Sequence, residues 1–290
     1  MRLVTFDIDG KSVLGVRHGD RVVNLAAVAP DLPGDLLGML RGGREAFDRA
    51  AAAADSAPDD ARLAHAGLRF HPLMTNAPKM ICLGLNYAAH AAEGGREKPV
   101  FPTLFLRCGT SLVGHNQPML RTRLSEQLDY EAELAAFIGK TVKNVSVDKA
   151  LDAVAGYSCF NDGSVREYQR MTPQWALGKN FDRTGPFGPE FVTADELPPG
   201  AAGLTIQSRL NGRIMQDGNT ADMIFPVAET ISMLSELMTF EPGDVLVMGT
   251  PSGVGHARRP PVWMKDGDTI EVEIERIGVL SNPIVDEAPV

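Results

Sequence analysis

The chain has 290 residues, of which 44% are hydrophobic and 22% charged, and this balance excludes a disordered or fibrous protein. Its formal net charge of −9 argues against nucleic acid as a partner, because nucleic-acid-binding proteins need a basic surface. The sequence has no run of about 18 apolar residues and no signal-peptide pattern at its start, so we expect a cytoplasmic protein without membrane contacts.

The N-terminal segment predicts a small α/β domain over residues 1–70. Residues 1–26 alternate short β-rich runs with two Gly/Asp turn signals, which is typical of an antiparallel meander. Residues 41–67 are rich in Ala, Asp, Gly and Arg, and they predict a short surface helix followed by an acidic connector. This change in composition places the start of the main domain, residues 71–290, just after the connector.

The main domain is predicted to be mostly β with a few short helices, an α+β fold. Apolar or alternating runs predict strands at residues 79–84, 103–107, 130–139, 156–162, 244–250 and 269–280. Asn211-Gly212 predicts a hairpin, Pro226 a helix start, and Ser146 the cap of a helix over 147–154. Because strands and helices do not alternate regularly, we expect a mixed β-sheet roll rather than a Rossmann fold or TIM barrel.

Two glutamates in a predicted strand give the first candidate site. Glu131 and Glu133 would project from the same face, where two carboxylates repel each other unless a proton or a cation neutralises them. The apolar residues that follow place the pair near a core. This setting favours a hard divalent cation with oxygen ligands, Mg²⁺ or Mn²⁺ before Zn²⁺. A solvent-exposed edge strand would show the same spacing.

A second polar cluster surrounds Asp162, which ends a predicted strand. Arg166 and Gln169 lie three residues apart on a predicted helical turn, where they could bind a carboxylate together. Asn161-Asp162-Gly163 is also an ordinary turn signal, so a purely structural role is the alternative.

His90 and Glu93 form a third candidate pair, on a predicted helical turn after the strand at 79–84. At this spacing Glu93 could orient His90 as a general base. Gly94 and Gly95 follow and would permit hinge motion, so the segment could serve as a lid. The alternative is a surface His/Glu pair on an Ala-rich helix.

Residues 249–255 form a glycine-rich loop that matches neither of the common nucleotide-binding motifs. We interpret it as backbone that comes close to a small ligand, with the Thr250 hydroxyl as a donor. The chain also lacks the GxSxG, HExxH and CxxC patterns, which argues against serine hydrolases and zinc proteases.

In this order, these segments resemble the fumarylacetoacetate hydrolase (FAH) superfamily. The motifs that carry the resemblance are GLNYAAHAAE, DYEAELAAFIG, GYSCFNDGSVREYQ, LGKNFDRTGPFGP, LNGRIMQDGNTADMIF and GDVLVMGTPSGVG. They cover residues 79–285, and the N-terminal meander is similar to the small domain that often precedes this fold. The resemblance implies an FAH-type mixed β-sheet roll and a homodimer.

The resemblance also implies a metal centre. Family members bind Mg²⁺ or Mn²⁺ through an E-x-E pair and the Asp of an N-D-x-S-x-R motif, which match Glu131, Glu133 and Asp162. Ca²⁺ could replace these ions in crystals. The family's H-x-x-E dyad, on a closing lid, matches His90 and Glu93 as catalytic residues.

Further site residues follow from the same resemblance. Lys179 matches the catalytic lysine of the family's G-K-x-F-D segment, and Arg166, Gln169 and Thr250 match substrate contacts. The chain has Val165 where the family usually has Ala and Asn180 where it usually has Ser. Neither departure affects a metal ligand, so both bear on the identity of the substrate.

The implied activity is that of a metal-dependent hydrolase that cleaves a carbon–carbon bond in a 2,4-dioxo acid, such as an acylpyruvate or fumarylpyruvate. It would release pyruvate or a related 2-oxo acid, with His90 activating water and Lys179 stabilising the enolate. Oxaloacetate-type decarboxylation, hydration of 2-hydroxydienoates in catabolism, and keto–enol or double-bond isomerisation are the alternatives. A non-catalytic binding module would be expected to lack a metal-set or dyad residue, and none is missing.

Overall fold

β-Strands make up most of the regular structure in the computed structural model, which describes residues 1–288. In chain order the strands are β1 (Arg2–Ile8), β2 (Lys11–His18), β3 (Arg21–Asn24), β4 (Arg62–Ala64), β5 (Met80–Gly84), β6 (Thr103–Leu106), β7 (Leu112–Val113), β8 (Met119–Arg121), β9 (Leu128–Asp129), β10 (Ala132–Ile138), β11 (Val154–Asn161), β12 (Ser164–Val165), β13 (Gly185–Thr193), β14 (Thr205–Leu210), β15 (Arg213–Asn219), β16 (Val245–Val247), β17 (Thr269–Ile274) and β18 (Gly278–Asp286).

The α-helices are short, with one exception. They are α1 (Leu25–Val28), α2 (Leu36–Asp55), α3 (Ala88–Glu93), α4 (Val147–Ala150), α5 (Arg166–Gln169), α6 (Ala176–Lys179) and α7 (Val227–Leu237). The 20-residue helix α2 is kinked at Gly43, whose φ of 59° is a left-handed conformation that glycine tolerates. Within residues 1–288, no helix is both long enough and apolar enough to cross a bilayer.

One large mixed sheet forms the framework. Ten of its strands run in the order β4-β3-β2-β1-β13-β11-β10-β16-β5-β6, and β7 pairs with β13. The N-terminal meander joins this sheet because β1 lies antiparallel to β13, with Arg2 opposite Val192. The sheet therefore continues across the proposed boundary near residue 70, and the division into two domains stays a prediction.

Hydrophobic cores lie on both faces of the large sheet. On one face the core includes Ile231 of α7 together with Ile206 and Ile274, which belong to a second, five-stranded sheet in the order β15-β14-β17-β18-β8. On the other face the core includes Leu36 and Leu40 of α2. A third, two-stranded sheet, β12-β9, pairs Ser164 with Asp129 just beyond the end of β10 and β11.

Strand β10 is buried along its whole length because it lies between the two cores. Leu134 and Ala136 project into the core beneath α7, while Ala135 and Phe137 project into the core beneath α2. Side chains of a strand alternate between faces, so Glu133 projects to the same side as Phe137. This glutamate thus begins a row of side chains that points into protein rather than into solvent.

The predicted α+β fold and its β-rich character are confirmed. The meander, the Asn211-Gly212 hairpin and the helix after Pro226 are all present. Helix α2 is longer than the predicted surface helix, since it begins before residue 41.

Two predicted elements are wrong in detail. The helix predicted over 147–154 ends at Ala150 and continues as a single 3₁₀ turn, because strand β11 begins at Val154. The strand predicted over 269–280 is two antiparallel strands, β17 and β18, joined by a turn in which Arg276 has a φ of 64°. Gly278, with a φ of 144°, directly follows this turn and is the local signal for a break that the alternating pattern obscured.

Candidate active site

Three buried carboxylates meet at the end of two neighbouring strands. Glu131 immediately precedes β10, Glu133 lies within it, and Asp162 immediately follows β11. The antiparallel register pairs Ala132 with Asn161, so the start of β10 lies beside the end of β11. One oxygen from each of the three carboxylates lies within 4.8 Å of the others, and each residue is at most 4% exposed.

Lys179, at the end of α6, provides a positive charge inside this cluster. Its Nζ lies 2.5 Å from Glu131 Oε2 and 2.6 Å from Asp162 Oδ2. The lysine is only 1% exposed, and its ammonium group therefore bridges two of the three acids without help from solvent. Removing charges from water is costly, so buried charges of this kind are tolerated only where opposite charges are in close, hydrogen-bonded contact.

Arg107 neutralises the other oxygen of Asp162, and sequence reasoning missed it. Its Nη1 lies 2.5 Å from Asp162 Oδ1, and its Nη2 donates to the hydroxyl of Thr184. The arginine follows β6 in a stretch that shows only a β-strand pattern, 55 residues before Asp162. No local spacing could have linked the two residues.

Arg166 and Gln169 also lie in the site, but they bind each other and the protein. Arg166 Nε lies 2.8 Å from Asp129 Oδ2, and its Nη1 donates to Gln169 Oε1 at 2.9 Å. Its Nη2 lies 2.7 Å from Glu131 Oε1, although this nitrogen is not aligned for a hydrogen bond. The charge of Arg166 is thus largely neutralised by Asp129 and Glu131.

The two glutamates have opposite pKa shifts. Burial raises the pKa of Glu133 well above its usual range, and the carboxylates of Asp162 and Glu131 raise it further. Burial acts on Glu131 as well, but Arg166 and Lys179 outweigh it and lower the pKa of that carboxyl. In the described part of the chain, residues 1–288, Glu133 forms no ion pair, and its Oε2 accepts a hydrogen bond from the Gly249 amide at 2.7 Å.

The donor set fits a divalent cation. All three candidate ligands are carboxylate oxygens, which suit a hard ion such as Mg²⁺ or Mn²⁺. A cation beside Glu133 would also provide the positive charge that this carboxylate lacks. The three predicted ligands are thus brought together, and their role as ligands stays a prediction.

The His90–Glu93 pair has the geometry of an oriented base. His90 Nδ1 lies 2.8 Å from Glu93 Oε1, at the end of α3. Glu93 Oε2 accepts a hydrogen bond from the Gly253 amide at 2.8 Å, so the carboxylate is fixed from both sides. His90 is 8% exposed and lines the same cavity as the three acids, which leaves its other ring nitrogen to act there.

The glycine-rich loop binds the carboxylates of the site through its backbone. Gly249 donates to Glu133, Gly253 to Glu93, and Gly255 donates to Asp129 at 2.7 Å. A Cβ at residue 255 would lie 2.6 Å from the Asp129 oxygen, so glycine is required for this approach. The loop thus approaches the protein's own acids, and its predicted approach to a ligand stays a prediction.

Thr250 lines the cavity, yet its hydroxyl is already engaged. It donates to the Ala132 carbonyl at 2.9 Å and accepts from Gln216 Nε2 at 2.7 Å. Its predicted role as a donor to a ligand would therefore require the bond to Ala132 to break.

A cavity of about 210 Å³ unites these groups. Eight of the nine predicted site residues line it, and the ninth, Glu93, lies behind His90. The lining also contains Gly94, which the sequence suggested as a hinge, and residues that sequence reasoning did not single out, namely Leu83, Gly84, Leu85, Arg96, Phe105, Arg170, Trp175 and His256. Asp129 was missed as well, although it stands two residues before the first metal-ligand candidate and is fully buried.

Comparison with known proteins identifies relatives along the whole chain. Residues 79–285 match the family model described as fumarylacetoacetate (FAA) hydrolase C-terminal. The oxaloacetate tautomerase fahd2, mitochondrial, of Xenopus laevis is 38% identical over 98% of this chain and 90% of its own length.

Solved structures agree with this match. The fumarylacetoacetate hydrolase of psychrophilic Exiguobacterium antarcticum superposes with a TM-score of 0.85 at 34% identity. The maleylpyruvate hydrolase of Sphingobium sp. SYK-6, in complex with a manganese(II) ion and pyruvate, superposes with a TM-score of 0.81 at 29% identity. Each comparison covers 99% of this chain and 100% of the other.

Replacing Glu133 by Gln should stabilise the metal-free protein. An acid whose pKa is higher in the folded state loses stability as the pH rises from its ordinary value, 4.5, through the folded value. In EDTA, Glu133→Gln should therefore raise the free energy of unfolding at pH 7–8 by at least about 1 kcal/mol, the scale of one buried polar group left without a partner. The gain should fade as the pH approaches 4.5, as measured by urea unfolding.

The same variant should lose the thermal stabilisation that Mg²⁺ or Mn²⁺ gives the wild type. Glu236→Gln, at an exposed helical position, serves as the control and should change neither measurement. A Glu133→Gln protein that is less stable in EDTA, or that is still stabilised by the metal, would contradict the assignment.

Proposed function

The chain belongs to the fumarylacetoacetate hydrolase family, and from that premise we propose that it is a divalent-metal-dependent enzyme that enolises a 2-oxo acid. We further propose the keto–enol tautomerisation of oxaloacetate as its reaction. The observation that carries this proposal is the placement of a buried three-carboxylate cluster and the His90–Glu93 pair on one cavity.

Glu131, Glu133 and Asp162 would hold the cation through their carboxylate oxygens. When bound, Mg²⁺ or Mn²⁺ acts as a Lewis acid that polarises the 2-oxo group and its adjacent carboxylate. Lys179 contacts two of these three acids, so its ammonium group lies where it can donate to the oxygen that gains negative charge.

His90 would move the proton. Enolisation removes a proton from C3 of the acid and adds one to the 2-oxo oxygen, and the reverse reaction exchanges these roles. Because Nδ1 of His90 is bonded to Glu93, the proton at C3 would be taken by Nε2. The Glu93 carboxylate stabilises the imidazolium that results, and the Gly253 amide keeps Glu93 in position.

The choice of oxaloacetate is supported by the relatives. The Xenopus protein, an oxaloacetate tautomerase by name, matches 98% of this chain. This match includes the N-terminal segment outside the family model, so the likeness extends beyond the catalytic region.

Carbon–carbon hydrolysis of a 2,4-dioxo acid, the activity expected from the sequence, is the second candidate. The His90–Glu93 pair favours it, because an oriented histidine can equally take a proton from water. The maleylpyruvate hydrolase that shares the fold, with its manganese ion and pyruvate, adds support. The cytoplasmic location and the homodimer stay predictions.

A substrate assay separates the two candidates. With Mg²⁺ or Mn²⁺, the wild type should accelerate the decay of the oxaloacetate enol, followed by its ultraviolet absorbance, and EDTA should abolish this effect. Pyruvate release from acylpyruvates without any tautomerase activity would instead favour the hydrolase. Neither activity, or release of CO₂ from oxaloacetate as the main reaction, would contradict the proposal.

Replacing His90 by Ala should lower kcat by about 10²- to 10⁴-fold, the usual contribution of a general base. Because His90 is not a metal-ligand candidate, the variant should keep its thermal stabilisation by Mn²⁺. His71→Ala is a matched control, since His71 also pairs with a carboxylate, that of Asp7 at 3.2 Å, but lies outside the cavity. Full activity in His90→Ala, or equal losses in both variants, would remove His90 from the mechanism.

A further inference from the structure

Two arginines on the cavity wall carry charges that the protein leaves uncompensated. Arg96 and Arg170 both line the cavity and both are exposed. Within residues 1–288, no carboxylate or carbonyl group accepts a hydrogen bond from either side chain, and neither forms an ion pair. Their guanidinium groups are therefore available to a bound molecule.

The other cations of the cavity differ in this respect. Lys179 is bound by Glu131 and Asp162, and Arg166 by Asp129 and Glu131. The charges of Lys179 and Arg166 are therefore neutralised by carboxylates of the protein itself. Arg96 and Arg170 thus make the outer part of the cavity positive in a chain whose overall charge is −9. A local field of the opposite sign to the whole chain selects for anions.

The pKa of Arg170 is consistent with a positive charge that the protein does not compensate. Partial burial lowers the pKa of Arg170, and the positive charges of Arg166 and Arg96 lower it further, while Asp129 offsets only part of the effect. The arginines are thus close enough to repel one another. A bound carboxylate would relieve this repulsion.

Both side chains are attached to well-anchored parts of the site. The guanidinium carbon of Arg96 lies 6.0 Å from the ring centre of Trp175, a cation–π arrangement that favours one position. Trp175 packs directly on Gly84, where a Cβ would lie 2.0 Å from its ring. Arg170 follows Gln169, whose side chain is held by Arg166.

We propose that Arg170 and Arg96 form a second anion subsite, which binds the distal carboxylate of the substrate and selects 2-oxo dicarboxylic acids over monocarboxylic ones. The inference rests on the proposed function, in which the first carboxylate and the 2-oxo group are held at the three-acid cluster. A second carboxylate on the same molecule then reaches the cationic outer wall. The guanidinium fork suits carboxylates because it can donate two parallel hydrogen bonds.

A matched pair of ligands tests the subsite without depending on turnover. 2-Oxoglutarate and 2-oxopentanoate differ only in that a terminal carboxylate replaces a methyl group, and neither is a 2,4-dioxo acid. With saturating Mg²⁺, isothermal titration calorimetry of the wild type should show at least about tenfold tighter binding of 2-oxoglutarate, the scale of one hydrogen-bonded charge.

Arg170→Gln should remove most of this preference for 2-oxoglutarate. It should change the Kd of 2-oxopentanoate by no more than about twofold. Arg170→Lys should restore part of it, and Arg96→Gln should have a smaller effect of the same kind, because Arg96 also stacks on Trp175. Arg213→Gln, an exposed position outside the cavity, controls for the loss of one positive charge and should change neither affinity.

The subsite would be overturned if the wild type bound both ligands with equal affinity, or if Arg170→Gln weakened the binding of both ligands equally. Either result would leave the proposed function untouched. Conversely, 2-oxoglutarate binding that persists in EDTA and still depends on Arg170 would support the subsite and contradict the metal-centred function. The two proposals therefore fail in different ways.

Discussion

The burial of three carboxylates within 4.8 Å of one another is the constraint on which the rest of the site depends. Like charges at this distance, away from water, are tolerated only if a proton or a positive charge neutralises them. Lys179 and Arg107 meet this need for Asp162, and Lys179 and Arg166 meet it for Glu131. Among residues 1–288, no lysine or arginine forms an ion pair with Glu133. If the three acids hold a metal, as we propose, the cation would provide the positive charge that Glu133 does not receive from the protein.

The glycine-rich loop connects the metal-site candidates to the proton-transfer pair. Three of its amides each donate to a different carboxylate, those of Glu133, Glu93 and Asp129. One segment of backbone therefore sets the position of a candidate ligand, of the residue that orients His90, and of the residue that neutralises Arg166. Because these bonds come from the main chain, their geometry is fixed by the turn conformation of the loop and not by flexible side chains.

Sequence patterns predicted the parts of the site that are local. The E-x-E spacing of Glu131 and Glu133 and the i, i+3 spacing of His90 and Glu93 follow from strand and helix geometry, and the structure shows both pairs side by side. Contacts between distant segments were not predictable in this way. Arg107 meets an acid 55 residues away only because of the order of strands in the large sheet. The turn at Arg276 was missed although it is local, because a non-glycine residue adopts the left-handed conformation at its centre and the glycine signal, Gly278, stands only at its end.

Crystals grown with Mn²⁺ provide the most direct test of the central claim, because anomalous scattering locates this ion without reference to activity. We expect one strong anomalous peak between Glu131, Glu133 and Asp162, with Lys179 moved away from at least one of the two acids that it bridges. A peak elsewhere, or an unchanged Lys179 bridge with no peak in the cluster at saturating Mn²⁺, would show that the three acids are a self-neutralised structural core and not a metal centre.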